Sequence, residues 1–84
     1  MFLHTYFVQP QSNYCLYVEF NNGAKGLIDL TDVLWGDMFE TLKTSTMFLT
    51  ATQNPVMGTV SWANGADLAP EFLYDLLVQQ SLNI

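Results

Sequence analysis

Two short apolar segments on either side of residues 21–23, Asn-Asn-Gly, constrain the fold more than any other feature of this chain. Residues 14–20 and 24–30 are rich in aliphatic and aromatic side chains, as strands are. Together they predict an antiparallel hairpin whose register depends on the length of the loop. A one-residue slip moves a whole set of side chains to the other face, so the two faces decide between the possible loops.

A three-residue loop with Gly23 in a left-handed bulge satisfies both faces of this hairpin. On one face Glu19 lies opposite Lys25, an opposite-charge pair across the strands. A two-residue turn would instead mix charged side chains into the apolar face. We therefore predict the three-residue loop. Its other face pairs apolar or small residues: Phe20 with Ala24, Val18 with Gly26 and Leu16 with Ile28.

The odd-numbered residues of the hairpin are not needed for the core, and the predicted register gathers them on one face. Because this face combines apolar and negatively charged side chains, we predict that it contacts a partner. Two aromatic residues elsewhere in the chain are added as possible anchors of the same contact. The candidate partner-binding residues are Tyr17, Glu19, Leu27, Asp29, Trp35 and Tyr74.

Four strands are predicted in all. Residues 2–9 form the first strand, which is expected to end before Pro10, and residues 10–13 form a turn. The hairpin supplies the next two strands, at about 14–20 and 24–30. Residues 56–62 alternate in polarity and predict a fourth strand.

Helical segments are predicted in the middle and at the end of the chain. The middle holds short turns at about 32–35 and 37–43, and residues 45–51 fit either a helical turn or an extended connection. The last helix is predicted at about 70–80. We therefore predict a single α+β domain over residues 1–84. It is a small antiparallel sheet, a three-stranded meander plus a fourth strand, with short central helical turns and a C-terminal helix packed on it.

The stretch from Trp62 to Asp75 is dense in polar and charged residues, yet structure accounts for most of it. Asn64-Gly65 is a turn signal that follows the fourth strand. Pro70 suits the first position of a helix, where its missing N–H costs nothing. The apolar residues that follow recur with the period of a helix and form one stripe. They are Phe72, Leu73, Leu76 and Leu77.

Asp67, Glu71 and Asp75 recur every fourth residue, which is the one pattern that suggests a metal site. On one continuous helix the three carboxylates would share a face. Pro70 indicates that the helix begins after Asp67, so a structural interpretation is favoured over a metal site. A small metal- or ligand-binding protein that uses these carboxylates stays as the alternative hypothesis.

Composition points to association with another protein. Half of the 84 residues are hydrophobic, while a chain of this size buries only about 60–65% of its unfolded surface. Some apolar surface should therefore stay exposed as a patch, which favours a homodimer or a small basic partner. The formal net charge of -6, with Lys25 and Lys43 as the basic side chains, argues against direct nucleic-acid or membrane-surface binding.

Catalytic chemistry has little support in this sequence. Cys15 is the single cysteine and His4 the single histidine, so no zinc site or nucleophile–base pair is indicated. No phosphate-binding or hydrolase motif occurs. We predict a non-enzymatic protein without a cofactor. The N-terminus lacks the pattern of a signal peptide and no segment is long enough to span a membrane, so a cytoplasmic location is expected.

Several of these motifs occur in an order that is similar to a known family. Val8 and Pro10 form a VxP motif, and residues 16–20 form LxVxF before an Asn-Gly turn. Asp29-Leu30, Gly36, Phe39, Leu42 and Phe48 follow. The chain then reads TVSW, one Ala, and NGADLAPEFLYD. In this it resembles the domain-of-unknown-function 2442 family of small bacterial proteins over nearly its whole length.

The resemblance implies an α+β fold and little chemistry, because the family has no established catalytic residues. Some members are encoded beside a second small protein, an arrangement similar to toxin–antitoxin pairs. The resemblance therefore implies a protein-interaction module, with this chain as the acidic, antitoxin-like member of a bacterial pair. Two departures are visible: Ala63 stands where members often have Pro, and the third strand has Lys25 as its one basic residue.

Overall fold

The computed structural model describes residues 2–34 and 36–82. Within these ranges the chain forms five short strands and three α-helices, and two single 3-10 turns lie at Thr31–Val33 and Thr41–Lys43. The strands and helices are, in chain order, β1 (Thr5–Gln11), β2 (Cys15–Phe20), β3 (Lys25–Asp29), α1 (Asp37–Glu40), α2 (Ser45–Phe48), β4 (Thr52–Asn54), β5 (Thr59–Ser61) and α3 (Pro70–Leu82).

The main sheet is an antiparallel meander in the order β1-β2-β3, and the predicted register of its second hairpin is confirmed. Leu16 lies opposite Ile28, and Glu19 lies opposite Lys25. The three-residue loop is present, with Gly23 in the left-handed region at φ 90°. The α+β prediction, with a C-terminal helix that begins at Pro70, is likewise confirmed.

The first strand lies further along the chain than the predicted residues 2–9, because it begins at Thr5 and not at residue 2. β1 continues through Pro10 to Gln11, so the prediction that it stops before Pro10 is wrong. Pro10 lies opposite Leu16 at a position whose N–H would point away from β2. On the edge strand of a sheet a proline is tolerated there, because no ladder hydrogen bond is lost.

One face of the meander forms the core. Its inward side chains, among them Leu16, Val18, Phe20 and Ile28, are fully buried. α3 packs against β3, and its Leu73 is also fully buried. The contact at Gly26 is so close that a Cβ there would lie 2.8 Å from Leu77 Cδ1. The sheet and the helix therefore meet where β3 has no side chain.

The fourth predicted strand is shorter than expected and belongs to a separate two-stranded sheet. Of residues 56–62, only Thr59–Ser61 form a strand, and it pairs with β4. This small hairpin is attached to β1 through buried Thr5, whose N–H donates to the Gly58 carbonyl at 2.9 Å. The Gln53 side-chain amide donates to the Thr5 carbonyl at 2.6 Å and accepts from the Thr5 hydroxyl at 2.6 Å.

The stretch from Trp62 to Asp75 is structural, as the sequence indicated. The Trp62 indole N–H donates to the Phe48 carbonyl at 3.0 Å, which joins β5 to α2. Gly65 N–H donates to the Trp62 carbonyl at 2.9 Å and closes the turn. The segment then forms a β-bridge between Ser61 and Asp67 before α3 starts.

Candidate partner-binding face

The solvent-facing side of the three-stranded sheet is the strongest candidate site, and we call it the outer face. The register of the meander brings residues from all three strands onto it. Three apolar or aromatic side chains on it stay well exposed: Tyr6 (59%), Phe7 (41%) and Leu27 (54%). The outer face consists of Tyr6, Phe7, Gln9, Gln11, Cys15, Tyr17, Glu19, Lys25, Leu27 and Asp29.

A carboxylate held by two phenols lies among these aromatic side chains. The Tyr6 hydroxyl donates to Glu19 Oε1 at 2.9 Å, and the Tyr17 hydroxyl donates to Glu19 Oε2 at 2.9 Å. Phe7 contacts Tyr17 edge-on, with ring centroids 6.0 Å apart. Both oxygens of Glu19 are thus held in place, while each keeps a further lone pair for another donor.

An irregularity in the pairing of β1 with β2 produces this arrangement. The pairing with β2 shifts between Thr5 and Phe7, which leaves Tyr6 as an extra residue in the strand. Such a bulge redirects side chains, and here Tyr6 reaches the same carboxylate as Tyr17. The bulge explains why two neighbouring residues, Tyr6 and Phe7, both contribute to the outer face.

The hydrogen bonds fix the charge state of this cluster. Hydrogen bonds donated by Tyr6 and then by Tyr17 lower the pKa of Glu19. Desolvation opposes them, and the positive charge of Lys25 adds the smallest lowering effect. The same hydrogen bonds to Glu19 are the main cause that raises the pKa of Tyr6 and of Tyr17. At neutral pH the outer face therefore presents one ionised carboxylate between two neutral phenols.

The two ends of the outer face are less suited to binding. The Asp29 carboxylate accepts hydrogen bonds from the Thr31 N–H at 2.9 Å and its hydroxyl at 2.7 Å, so it holds the turn after β3. Burial, followed by the charge of Asp29, raises the pKa of the Cys15 thiol. A protonated thiol is a poor nucleophile.

The structure brings together three of the six predicted partner-binding residues: Tyr17, Glu19 and Leu27. Asp29 lies at the far end of β3 on the same face. Tyr74 belongs to α3 and packs edge-on against Phe20, with centroids 5.5 Å apart, on the other side of the sheet. Trp35 lies outside the described residues.

The carboxylates of the alternative metal hypothesis do not form a compact group. Asp67 precedes α3 and bridges to Ser61, whereas Glu71 and Asp75 lie within the helix. Among residues 2–34 and 36–82 no group of three or more His, Cys, Asp or Glu side chains is arranged to hold a metal ion. In the same ranges no helix is long and apolar enough to cross a membrane.

His4 and Cys15, the single histidine and the single cysteine of the chain, lie at opposite ends of the sheet. His4 N–H donates to the Asn21 side chain at 3.1 Å, beyond the end of β2. Cys15 begins β2, and its thiol donates to the Asn13 carbonyl at 3.7 Å. The length of the strand therefore separates them, and they cannot act as a nucleophile–base pair.

Two grooves lie away from the centre of the outer face. One, of about 460 Å³, adjoins the β1–β2 turn, where Asn13 and Tyr14 adopt positive φ angles of 61° and 60°. The other, of about 410 Å³, lies between the end of β3 and α3 and includes Asp29, Asp32 and Gln80. Neither set of described lining residues includes a histidine or cysteine.

Comparison with known proteins identifies a family and gives no biochemical activity. A family model described as "Protein of unknown function (DUF2442)" matches residues 7–79, which is most of the chain. The match includes β1 to β5 except the first two residues of β1, and most of α3. No curated protein and no solved structure matches the sequence.

Proposed function

The chain belongs to the DUF2442 family of proteins of unknown function, and we propose that it is a non-enzymatic module that binds a basic protein partner. The partner would cover the outer face of the three-stranded sheet. The chain would then be the acidic member of a two-protein bacterial pair, in the manner of an antitoxin. The observation that carries this proposal is the ionised Glu19 held between Tyr6 and Tyr17 on an exposed aromatic surface.

The apolar part of the outer face favours binding because its side chains are exposed without being needed for folding. Phe7 and Leu27 keep 41% and 54% of their surface in contact with solvent. Contiguous exposed apolar surface commonly marks an interaction site. Tyrosine is enriched among the residues that dominate interface energetics, since a large ring combines with a polar group. Tyr6 and Tyr17 have this character.

Charge favours a basic partner over a neutral or acidic one. The formal net charge is -6. One of the two lysines, Lys43, is paired with an acidic residue of the same chain, because its Nζ lies 3.3 Å from Glu40 Oε1. An arginine or lysine of the partner that meets Glu19 would form a charge-assisted hydrogen bond with an oxygen already oriented by a tyrosine. The remaining negative charge would accelerate association with a positively charged protein.

The test is affinity purification of the tagged chain from its own host, followed by mass spectrometry of co-eluting proteins. Wild type is compared with Tyr17→Asp, which removes a ring and a hydrogen bond from the outer face. We expect a small basic protein to co-elute with wild type and to be reduced at least about 10-fold with the variant. Glu19→Gln, which keeps the size of the side chain, should also weaken binding.

The matched control is Val78→Asp, which introduces the same charge at an exposed apolar residue of α3. Val78 is 41% exposed, and it lies on the helix and not on the outer face. Circular dichroism is used to establish that both variants are folded. The proposal is wrong if Tyr17→Asp retains the partner, or if Val78→Asp loses it to the same extent.

A further inference from the structure

The free edge of β3 has backbone groups that point away from the sheet. Phe20 N–H donates to the Ala24 carbonyl at 2.8 Å, and Leu30 N–H donates to the Tyr14 carbonyl at 2.9 Å. Even-numbered residues of this hairpin therefore direct their backbone groups toward the partner strand. In an antiparallel pair the alternate residues face the other way. Lys25, Leu27 and Asp29 thus present their N–H and C=O groups at the outer edge.

Gln80 of α3 already occupies one of these positions as a neighbouring strand would. Asp29 N–H donates to Gln80 Oε1 at 2.8 Å, and Gln80 Nε2 donates to the Asp29 carbonyl at 2.9 Å. A side-chain amide here makes the two hydrogen bonds that a peptide group of an added strand would make. The geometry of the β3 edge is therefore suited to strand pairing.

The opening that remains consists of four backbone groups. The N–H and C=O of Lys25 and of Leu27 have no hydrogen-bond partner within residues 2–34 and 36–82. Both residues are exposed. Unpaired groups along a strand edge are a template for pairing with another chain. The opposite edge of the sheet differs, because Pro10 has no N–H to offer and Thr5 is bound to Gly58.

We propose that a second copy of this chain pairs antiparallel with β3 along this opening, centred on Gly26. Lys25 of each copy would then exchange two backbone hydrogen bonds with Leu27 of the other, which uses all four free groups. Gln80 would stay on Asp29 in both copies. The two meanders would join into one six-stranded sheet with a continuous outer face.

The shape of the opening favours a second copy because its free groups are symmetric about Gly26. At the centre two glycines would face each other at the closer of the two antiparallel spacings, about 4.5 Å between Cα atoms. Gly26 itself has no side chain to obstruct that approach, and in each copy Leu77 packs against its inner side.

The charges along β3 are complementary to those of a second copy in this register. The aliphatic stem of Lys25 would lie beside Leu27 of the other copy. Its ammonium would reach Asp29 of that copy, its diagonal neighbour at about 7–8 Å between backbone positions. Leu27, now 54% exposed, would be covered by this stem. These contacts use the backbone edge, so the dimer does not rest on the proposed basic partner.

The test is sedimentation velocity of the full chain over a range of concentrations, combined with amide exchange measured by NMR. We expect a monomer–dimer equilibrium in which the amides of Lys25 and Leu27 exchange at least tenfold more slowly at high concentration. Leu27→Pro removes one of the two N–H donors of each copy on an edge where proline is tolerated, so it should yield monomer. Leu27→Ala keeps the donor and should still dimerise.

Three results would overturn the inference. The first is a monomer at every concentration tested. The second is a dimer whose Lys25 and Leu27 amides exchange at the monomer rate. The third is a dimer that persists in folded Leu27→Pro. The exchange data come from wild type, so they decide the question even if the proline variant does not fold. Glu19→Gln should leave dimerisation unchanged while it weakens the basic partner, which separates this inference from the proposed function.

Discussion

The two faces of the three-stranded sheet are formed by alternating residues of the same three strands, yet their side chains differ in exposure to solvent. On the inner face Leu16, Val18 and Ile28 are fully buried, whereas on the outer face Phe7 and Leu27 are 41% and 54% exposed. Both faces include large apolar side chains. The inner face is covered by α3 and the central helical turns, and the outer face by nothing in the described chain. The difference indicates that the inner face determines the fold and leaves the outer face exposed to solvent.

The two faces also differ in their polar side chains. The inner face of the meander consists mainly of aliphatic and aromatic side chains packed against one another, and its polar Thr5 is hydrogen-bonded to Gln53. The outer face holds the Glu19 carboxylate and binds it to the hydroxyls of Tyr6 and Tyr17. Such a cluster adds little to stability at an exposed position, but it fixes the orientation of a charged group. Orientation of a charge matters more for specificity than for folding.

The largest contrast is expected between Phe20→Ala and Phe7→Ala. Phe20 is fully buried and contacts Tyr74, so its truncation should lower the free energy of unfolding by about 3–5 kcal/mol. That loss approaches the whole stability expected for a domain of this size, roughly 5 kcal/mol. Phe7→Ala should cost less than about 1 kcal/mol. Urea denaturation of both variants measures the difference. Equal costs would mean that the outer face is part of the core.

A medium effect is expected from adding a side chain to the inner face at Gly26. The new Cβ of Gly26→Val would lie 2.8 Å from Leu77 Cδ1, which must move away. Overpacking of this kind costs about 1–3 kcal/mol. Leu27→Val, one residue along on the outer face, should be near neutral. Thermal unfolding of the pair shows whether the closely packed side of β3 is the one that faces α3. A neutral Gly26→Val would contradict that packing.

The smallest effect concerns the pH dependence of the outer face. Because the folded pKa of Glu19 is lowered, its contribution to stability is present above its unfolded pKa. That contribution is lost as the pH falls through the folded value. NMR titration of the Glu19 carboxyl carbon should give a pKa below that of an ordinary glutamate. In the double variant Tyr6→Phe with Tyr17→Phe the pKa should rise toward the ordinary value. An unchanged pKa would mean that the phenols do not hold the carboxylate.

The sequence was informative where local pattern and pairing agree. The register of the second hairpin followed from its polarity and from the Glu19–Lys25 pair, and it placed Tyr17, Glu19 and Leu27 on one face. The start of α3 followed from Pro70. In each of these places the residues that decide the structure are close in the chain, so their pattern is visible in the sequence. Their assignment to partner contact stays a prediction.

The remaining features depend on contacts between distant parts of the chain. β1 could extend through Pro10 only because the backbone nitrogen of that residue points to the free edge of the sheet and not to β2. β4 is formed by the polar residues Thr52–Asn54, and its position depends on Gln53 meeting Thr5. Tyr6 reached the outer face through a bulge, which has no signal in the alternation of β1. Aromatic character alone could not show that Tyr74 packs inward.

The most direct test of the outer face as the binding face is site-specific photo-crosslinking in the host. A benzophenone-bearing phenylalanine is placed at Phe7 of the outer face or at Phe72 of α3, which are matched in residue type and in exposure, 41% and 40%. We expect a crosslink to a small basic protein from position 7, with little or none from position 72. A basic protein crosslinked from position 72 but not from position 7 would contradict it.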